Sequence, residues 1–305
     1  MTIDGALLLD KPLGLTSNAA LQKAKKLLGA AKAGHAGTLD PLASGLLLVL
    51  VGEATKFAGP LLDADKEYLA TLKLGERTTT GDAEGEVLEK RVVDVAADSL
   101  LAVLDGFRGE IEQVPPMHSA LKHKGTPLYR LARRGQEVDR APRRVRISEL
   151  ELVRLEPGAV TLRVVCSKGT YVRVLAEDIG GALGCGAHLS ALRRTASGRF
   201  RIEDAATLDG LEKMPMAERR QQLRSLSALL EGLPRAELGA VDEARLRQGQ
   251  ALKISGLHAG LCAVVRPDGE VIGLGSADGE GGLKPLRLTQ TAEKHLKSAP
   301  HVKTE

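Results

Sequence analysis

The chain has 305 residues, 43% of them hydrophobic and 27% charged, and a formal net charge of +4. This length suits one large domain with a small one beside it, and the composition supports a well-buried core. Neither a run of membrane-spanning length nor a signal peptide is recognisable, and three cysteines without paired spacing argue against a disulfide framework or a zinc site, so we expect a cytoplasmic protein without a membrane partner.

The first predicted elements are a short strand and a helix. Residues 6–9 are aliphatic and predict a buried strand that ends at Asp10. Thr16 and the two residues after it offer N-caps, apolar spacing continues to Leu28, and Gly29 provides the stop. We therefore predict a helix that ends at Leu28.

The most informative segment follows, GHAGTLDPLASG over residues 34–45. Its three glycines allow backbone angles that other residues resist, and Pro41 restricts Asp40 to an extended or turn conformation. The aliphatic run at 46–51 predicts a buried strand directly afterwards. A single carboxylate fixed beside a core strand is a candidate nucleophile or general base, although most Asp-Pro turns are structural.

Two further strands and a helix are indicated downstream. Residues 68–74 and 160–166 alternate apolar and other side chains, which is typical of strands. Tyr68 stands at the start of the first, where a tyrosine is most often a core residue. The spacing of Leu175, Ile179 and Leu183 predicts a helix, with Arg173 near its beginning.

Basic residues are concentrated between Met117 and Arg146. This segment holds nine Lys or Arg against two acidic residues, a net charge of +7. It is an electrostatic footprint for a polyanion, with a merely solvated basic face as the alternative. Three Tyr, three Phe and no Trp cannot build an aromatic platform for stacking bases, so we expect contacts directed mainly at phosphates.

The domain organisation changes near Gly232. We predict one domain over 1–232, with the basic segment as an insertion at about 115–146, and a small β-rich unit over 233–291. A short helix at 242–247 and Asp-Gly turns at 268–269 and 278–279 support that second unit. Residues 292–305 lack periodicity and are predicted to be a frayed polar tail.

Five ordered segments now identify a resemblance. The string at 34–45 resembles the catalytic loop of the TruB-type family of tRNA pseudouridine synthases. The other matches are DKPLGLTS at 10–17, KEY at 66–68 with TTTGDAEG at 78–85, PPMHSALK at 115–122, and SKGTYVR at 167–173 with GCGAHLSALRR at 184–194. Together they cover most of residues 5–200, and the region after Pro234 is much less distinctive.

The resemblance implies a fold and a reaction. The fold would be mixed α+β, with a long, mostly antiparallel central sheet flanked by helices, the cleft across its middle, and a small C-terminal PUA-like β-barrel. The reaction would convert the uridine at position 55 in the T arm of tRNA to pseudouridine. It breaks the N1–C1′ bond, rejoins the base through C5, and requires no cofactor or metal.

The resemblance also implies roles for the catalytic residues. Asp40 would be the essential carboxylate, attacking C1′ or the base or stabilising charge at the sugar. Arg173 would hold it in a two-point fork, with a structural ion pair as the alternative. Tyr68 would stack on the target base and accept the C5 proton.

Further residues would bind the RNA. Leu192 resembles the apolar wall of the base pocket, and His35 resembles the histidine that fills the space left by the flipped base. Asp82 is a candidate hydrogen-bond partner behind the site, and Lys11 is either structural or a phosphate ligand. Arg133 and Arg134 lie in the basic segment, which would close over RNA as a mobile lid.

Two other classes of function compete with this interpretation. One is an RNA-binding or RNA-folding protein in which catalysis is secondary or lost; the presence of Asp40, Tyr68 and Arg173 opposes it. The other is an aspartate-dependent hydrolase, which a lone carboxylate beside a basic lid makes a poor fit. The catalytic loop is more similar to the stand-alone branch of the family than to the guide-RNA-dependent one. We therefore expect a monomer without an obligatory protein partner.

Overall fold

The computed structural model of the protein describes residues 3–119 and 121–290. The strands are β1 (Gly5–Lys11), β2 (Ala33–Ala36), β3 (Ala43–Val51), β4 (Lys66–Leu74), β5 (Glu76–Thr78), β6 (Val87–Lys90), β7 (Gly109–Gln113), β8 (Lys122–His123), β9 (Thr126–Pro127), β10 (Arg143–Glu156), β11 (Ala159–Cys166), β12 (Ala187–Ser197), β13 (Phe200–Arg201), β14 (Ala206–Thr207), β15 (Leu223–Arg224), β16 (Arg235–Glu237), β17 (Leu252–Lys253), β18 (Gly260–Val265), β19 (Val271–Ala277) and β20 (Gly282–Leu288). The helices are α1 (Ser17–Leu28), α2 (Ala58–Asp63), α3 (Ala97–Asp105), α4 (Leu128–Ala132), α5 (Val172–Ala182), α6 (Leu208–Lys213), α7 (Met216–Gln221), α8 (Leu226–Leu229) and α9 (Ala240–Arg247), with 3₁₀ turns at Gly52–Phe57 and Ile202–Asp204.

One long sheet organises the first 224 residues. Its strands run in the order β14–β1–β3–β12–β4–β11–β10–β7, with β2, β13 and β15 pairing at its margins. Neighbours are antiparallel except β1 with β14 and β3 with β12. The strands β3, β12 and β4 therefore lie side by side at the middle of the sheet, although β12 comes from a distant part of the sequence.

Helices cover the sheet with separate apolar clusters. Helices α3 and α5 pack on β4, β10 and β11 through residues such as Leu100, Leu175 and Leu162. Helix α1 packs on β1 and β3 through Leu21 and Leu28. The predicted mixed α+β fold with a long, mostly antiparallel sheet is thus confirmed.

The predicted elements of the catalytic region have close counterparts. Helix α1 has Thr16 as its N-cap, whose side chain accepts a hydrogen bond from the Ala19 N–H, and Gly29 ends it with a φ of 64°. That left-handed backbone suits glycine, which explains why the helix stops there. The strands predicted over 68–74 and 160–166 are β4 and β11, and the helix predicted after residue 170 is α5.

The basic segment divides into two parts. Its first part holds the hairpin β8–β9 and helix α4, outside the main sheet. Its last part belongs to β10, where residues 143–147 pair with 109–113 of β7. Because 143–146 are held by the sheet ladder, the part able to stand off the sheet ends near residue 142.

The C-terminal unit is a small sheet of its own, β16–β18–β19–β20–β17. Turns at 268–269 and 278–279 connect β18 to β19 and β19 to β20. It forms the small PUA-like β-rich unit expected from the sequence. The tail predicted over 292–305 lies outside the described residues, and none of the described helices is both long and apolar enough to cross a membrane.

Candidate active site

Asp40 lies in the loop between β2 and β3, and the N-terminal segment holds this loop on both sides. The Leu39 N–H donates to the Ser17 hydroxyl at 2.7 Å, and that hydroxyl donates to the Leu39 carbonyl at 2.9 Å. The Gly14 N–H donates to the Pro41 carbonyl at 2.8 Å. The buried Ser17 and the turn at Gly14 thus fix the backbone on either side of the carboxylate.

Arg173 faces Asp40 from the first turn of α5. One terminal nitrogen of its guanidinium lies 3.0 Å from an Asp40 carboxylate oxygen, and the two side chains are 7% and 46% exposed. The ion pair therefore combines a rigid, buried cation with an accessible carboxylate. A fixed cation beside an accessible carboxylate can hold that carboxylate in one orientation.

Three further contacts fix the Arg173 guanidinium. It donates to the carbonyls of Thr80 at 3.2 Å and His118 at 2.7 Å, and its Nε lies 3.5 Å from an Asp82 oxygen. His118 belongs to the segment that leads into the basic insertion. The cationic partner of Asp40 is therefore connected directly to that segment.

Asp82 is placed behind this pair. Its side chain is 4% exposed, and its other oxygen accepts from the Thr80 hydroxyl at 2.5 Å and from the Glu84 N–H at 3.1 Å. The carboxylate balances the buried charge of Arg173 and orders the loop at 78–85. This geometry fits the predicted supporting role rather than direct contact with a substrate.

Tyr68 and Leu192 lie on adjacent central strands, next to the Asp40 loop. In the β4–β12 ladder Leu192 is opposite Ala70, and in the β3–β12 ladder it is opposite Ala43. Both Tyr68 and Leu192 are partly buried against the core below α5. Burial raises the pKa of the Tyr68 hydroxyl, and the positive charge of Arg194 opposes that rise.

His35 and Lys11 occupy different environments. His35 is in β2, five residues before Asp40, and its Nδ1 is buried with no hydrogen-bond partner among the described residues. Burial, and then the charge of Arg194, lower its pKa, which favours the neutral ring. Lys11 is fully buried, and its ammonium donates to the carbonyls of Pro12 at 2.9 Å and Leu15 at 2.6 Å. Of the two roles predicted for Lys11, this geometry favours the structural one.

Arg133 and Arg134 follow α4 on the free part of the insertion. Both are exposed, and the Arg133 guanidinium lies 5.6 Å from the ring centre of Tyr129. Among the described residues, no hydrogen bond or ion pair links either arginine to the cluster around Asp40. Their exposure leaves both guanidinium groups available to phosphates.

The sequence analysis assigned Ser17, His118 and Arg194 no role at the active site, although each lies in one of the motifs that it quoted. Ser17 holds the Asp40 loop, and the His118 carbonyl holds Arg173. Arg194 is 1% exposed and bonds to the carbonyls of Leu46 and Gly37. All three contacts use backbone carbonyls, which side-chain patterns do not reveal.

Comparisons with known proteins identify the family of this chain. The family model for the N-terminal domain of TruB family pseudouridylate synthases matches residues 25–172. The models for the C-terminal domain of tRNA pseudouridylate synthase B and for the C-terminal region of pseudouridine synthase II TruB match residues 173–245 and 234–289.

Relatives match over nearly the whole chain. The tRNA pseudouridine synthase B of Aromatoleum aromaticum is 54% identical over 289 residues, which cover 95% of this chain and 94% of the relative. That of Thiobacillus denitrificans is 54% identical over 291 residues, covering 95% and 97%.

Solved structures share the fold. A chain in the crystal structure of a Cbf5–Nop10–Gar1 complex superposes with a TM-score of 0.72 at 30% identity, covering 94% of this chain and 84% of that one. A chain in the structure of an H/ACA RNP bound to a substrate RNA containing 2′-deoxyuridine gives 0.71 at 28% identity, covering 94% and 85%. With more than half of its residues identical to full-length relatives, the chain belongs to the TruB family of pseudouridine synthases, enzymes that isomerise uridine to pseudouridine.

Proposed function

We propose that this enzyme converts the uridine at position 55, in the T arm of tRNA, to pseudouridine, and that Asp40 is its essential carboxylate. The tRNA substrate follows from the relatives, which are tRNA pseudouridine synthases B. The observation that carries the catalytic assignment is the 3.0 Å ion pair between Asp40 and the buried Arg173. This pair lies at the middle of the sheet, next to Tyr68 and Leu192.

The reaction needs a carboxylate held in place more than it needs a strong acid or base. The N1–C1′ bond of uridine breaks, the uracil turns, C5 bonds to C1′, the C5 proton leaves, and N1 takes up a proton. Asp40 attacks C1′ or the base, or stabilises charge at the sugar, and each of these roles requires an ionised carboxylate at a fixed position. Arg173 supplies a neighbouring positive charge, and one terminal nitrogen of its guanidinium, 3.0 Å from a carboxylate oxygen, orients Asp40.

The remaining residues form the pocket. The target base leaves its stack at a cost of a few kcal/mol and enters between Tyr68, which stacks on it, and Leu192. The neutral ring of His35 fills the space that the base vacates. The insertion that carries Arg133 and Arg134 closes over the RNA backbone, since both side chains are exposed and charged.

In this proposal the enzyme needs neither a cofactor nor a second protein. The catalytic loop resembles that of the stand-alone branch of the family, and the isomerisation has no redox step and no second reactant. We therefore infer a monomer that acts without a cofactor or an obligatory protein partner.

The test is release of tritium from a tRNA transcript labelled at uridine C5. Wild-type enzyme should release one equivalent per tRNA, because forming the C5–C1′ bond expels one hydrogen from one uridine. A transcript with cytidine at position 55 should release none. Asp40→Asn should abolish release, while Asp63→Asn, which changes an exposed carboxylate paired with Lys168, should retain it.

Each part of the proposal can fail separately. Undiminished release from the position-55 variant would refute the target site alone. Full activity of Asp40→Asn would refute the catalytic assignment. Tight tRNA binding by wild type without any release would favour an RNA-binding or RNA-folding function in place of the enzymatic one.

A further inference from the structure

Arg194 is a buried cation next to the candidate active site. Its side chain is 1% exposed, its Nε donates to the Leu46 carbonyl at 2.7 Å, and a terminal nitrogen donates to the Gly37 carbonyl at 3.1 Å. In the part of the chain that the structure describes, no carboxylate oxygen lies within 4.0 Å of this guanidinium. A buried charge without a counter-ion is costly, so its retention calls for an explanation.

Two more buried cations surround the same place. Lys11 and Lys66 are 0% and 6% exposed, and both ammonium groups donate to backbone carbonyls. Burial is the largest cause that lowers the pKa of each lysine to about 8, and the charge of Arg194 lowers it further. The titratable groups that respond to the charge of Arg194 are Lys11 on β1, His35 on β2, Lys66 and Tyr68 on β4, and Cys166 on β11.

The position of Arg194 relates this charge to the base pocket. Arg194 is directly opposite Tyr68 in the β4–β12 ladder and opposite Gly45 in the β3–β12 ladder. Side chains that face each other across such a ladder lie on the same side of the sheet. Leu192, two residues earlier on β12, also lies on this side. The guanidinium is therefore on the same side of the sheet as the two side chains assigned to the uracil ring.

The reaction creates a negative charge at that place. When the N1–C1′ bond breaks, its electron pair stays on the uracil, which becomes an anion with charge shared by N1, O2 and O4. C5 of the anion then donates an electron pair to C1′, which releases any bond between C1′ and Asp40 and gives a neutral ring that still carries the C5 proton. Removal of that proton and uptake of a proton at N1 give neutral pseudouridine. A cation fixed in a dry environment stabilises such a transient anion without reorganising.

We propose that Arg194 is an electrostatic supporting residue that stabilises the uracil anion formed when the glycosidic bond breaks. The inference rests on the proposed function, because it assumes that uracil departs next to Tyr68. It explains why the guanidinium has carbonyl partners in place of a carboxylate, since an ion pair would cancel the charge that the anion needs. A purely structural arginine would serve only to link the loops at Gly37 and Leu46.

The first test compares leaving groups. Single-turnover rates of C5–C1′ bond formation are measured for wild type and Arg194→Gln on tRNA with uridine or 5-fluorouridine at the target position. Fluorine withdraws electrons and makes the ring anion more stable, so the substituted uracil depends less on the enzyme's charge. With uridine, the single-turnover rate of Arg194→Gln should be about 100-fold below that of wild type. With 5-fluorouridine, the same substitution should lower the rate by about tenfold or less. The affinity for tRNA should not change.

Matched variants complete the design. Arg193→Gln changes the preceding arginine, which is 42% exposed and pairs with Asp10. The ratio of its single-turnover rates on the two substrates should equal that of wild type. Arg194→Lys keeps a charge at this position. The burial that lowers the pKa of Lys11 and Lys66 to about 8 would act on this lysine as well. Its rate relative to wild type should therefore fall as pH rises, because burial favours the neutral form of a lysine whereas arginine stays charged.

The outcomes separate this inference from the proposed function. If Arg194→Gln lowered the rate equally on both substrates, or lowered it only through weaker tRNA binding, the proposed role of Arg194 would be wrong. Activity of the wild-type enzyme would still support the proposed function. If Arg194→Gln does not fold, the test uses Arg194→Lys. A ratio of its rate to the wild-type rate that stayed constant from pH 6.5 to 9.5 would overturn the role of Arg194. Absence of wild-type product would refute the proposed function itself.

Discussion

Arg173 shows how one side chain can set the geometry of the whole site. Its guanidinium contacts Asp40, Asp82 and the carbonyls of Thr80 and His118. Because these acceptors surround a planar fork, the direction of Asp40 depends on the shape of the cation as well as on its charge. Because the Asp40 side chain is 46% exposed, its ion pair with Arg173 should add little to the free energy of unfolding, and we expect its main effect to be on catalysis.

This argument predicts that Arg173→Lys impairs the chemical step more than binding. Lysine keeps a positive charge but cannot satisfy the four acceptors at once, so the single-turnover rate at saturating tRNA should fall about 100-fold. Arg163→Lys is the control, since that arginine pairs with Glu67, Glu149 and Glu151 away from Asp40. A rate within twofold of wild type for Arg173→Lys would show that charge alone suffices.

A second prediction at this scale concerns Ser17. The hydroxyl exchanges two hydrogen bonds with Leu39, the residue before Asp40, and is itself buried. Ser17→Ala leaves that buried N–H and carbonyl without their partner, which should cost about 1–3 kcal/mol in the free energy of unfolding and also lower the catalytic rate. Urea denaturation and tritium release measure the two effects.

Ser148→Ala provides the comparison for Ser17→Ala. Its hydroxyl donates to the Val165 carbonyl from an exposed site, where water replaces the lost bond. If Ser17→Ala lowered the free energy of unfolding no more than Ser148→Ala does, the proposal that Ser17 holds the Asp40 loop in place would be contradicted.

At the scale of elements, local signals predicted those parts of the fold that depend on local interactions. The cap at Thr16 and the stop at Gly29 delimit α1 correctly, and alternation locates β4 and β11. The placement of β12 between β3 and β4 depends on pairing across more than 100 residues, which alternation within a strand cannot reveal. The pairing of 143–147 with β7 likewise places the end of the basic segment in the sheet.

The same division applies to the site. Conspicuous motif residues such as Asp40 and Arg173 could be proposed together only because a family resemblance connected them, since they are far apart in the sequence. The carbonyl of His118 carries no signal in the sequence, because every residue has one. Arg194 is one of two adjacent arginines, and only the fold distinguishes the buried one from its ion-paired neighbour.

The insertion gives a prediction at this scale. Arg133 and Arg134 are exposed on the part that lies outside the sheet, so replacing both with Gln should remove two phosphate contacts. The slope of log binding constant against log salt should become shallower by about 1.4–1.8, with the single-turnover rate at saturating tRNA retained. Salt titrations of tRNA binding measure this slope.

Arg154→Gln is the control for the double variant. Arg154 is exposed and pairs with Glu156 at the far end of β10. It should leave the slope unchanged. An unaltered slope for Arg133→Gln with Arg134→Gln would refute the proposed role of the insertion in RNA binding.

At the scale of the whole molecule, an apolar cluster joins the C-terminal sheet to the catalytic region. Phe57 is 0% exposed and packs with Leu230 and with residues of β18 and β19, including Val265 and Leu274. Two polar contacts lie nearby. The Lys56 ammonium donates to the Leu288 carbonyl at 2.9 Å, and the Gln290 N–H donates to Glu53 at 2.6 Å. Because both ends of the cluster are buried, we expect the two units to hold a fixed relative position.

Phe57→Ala should therefore weaken this junction as well as the local core. Removing a buried phenyl ring costs about 3–5 kcal/mol. Since the ring contacts both units, amide hydrogens of β18 and β19 should exchange faster, and unfolding should show two transitions where wild type shows one. Leu62→Ala, which truncates a 42% exposed side chain on the neighbouring α2, should leave both properties unchanged. If exchange in β18 and β19 stayed at the wild-type rate in Phe57→Ala, the C-terminal sheet would be stable by itself and its position relative to the active site would depend on other contacts.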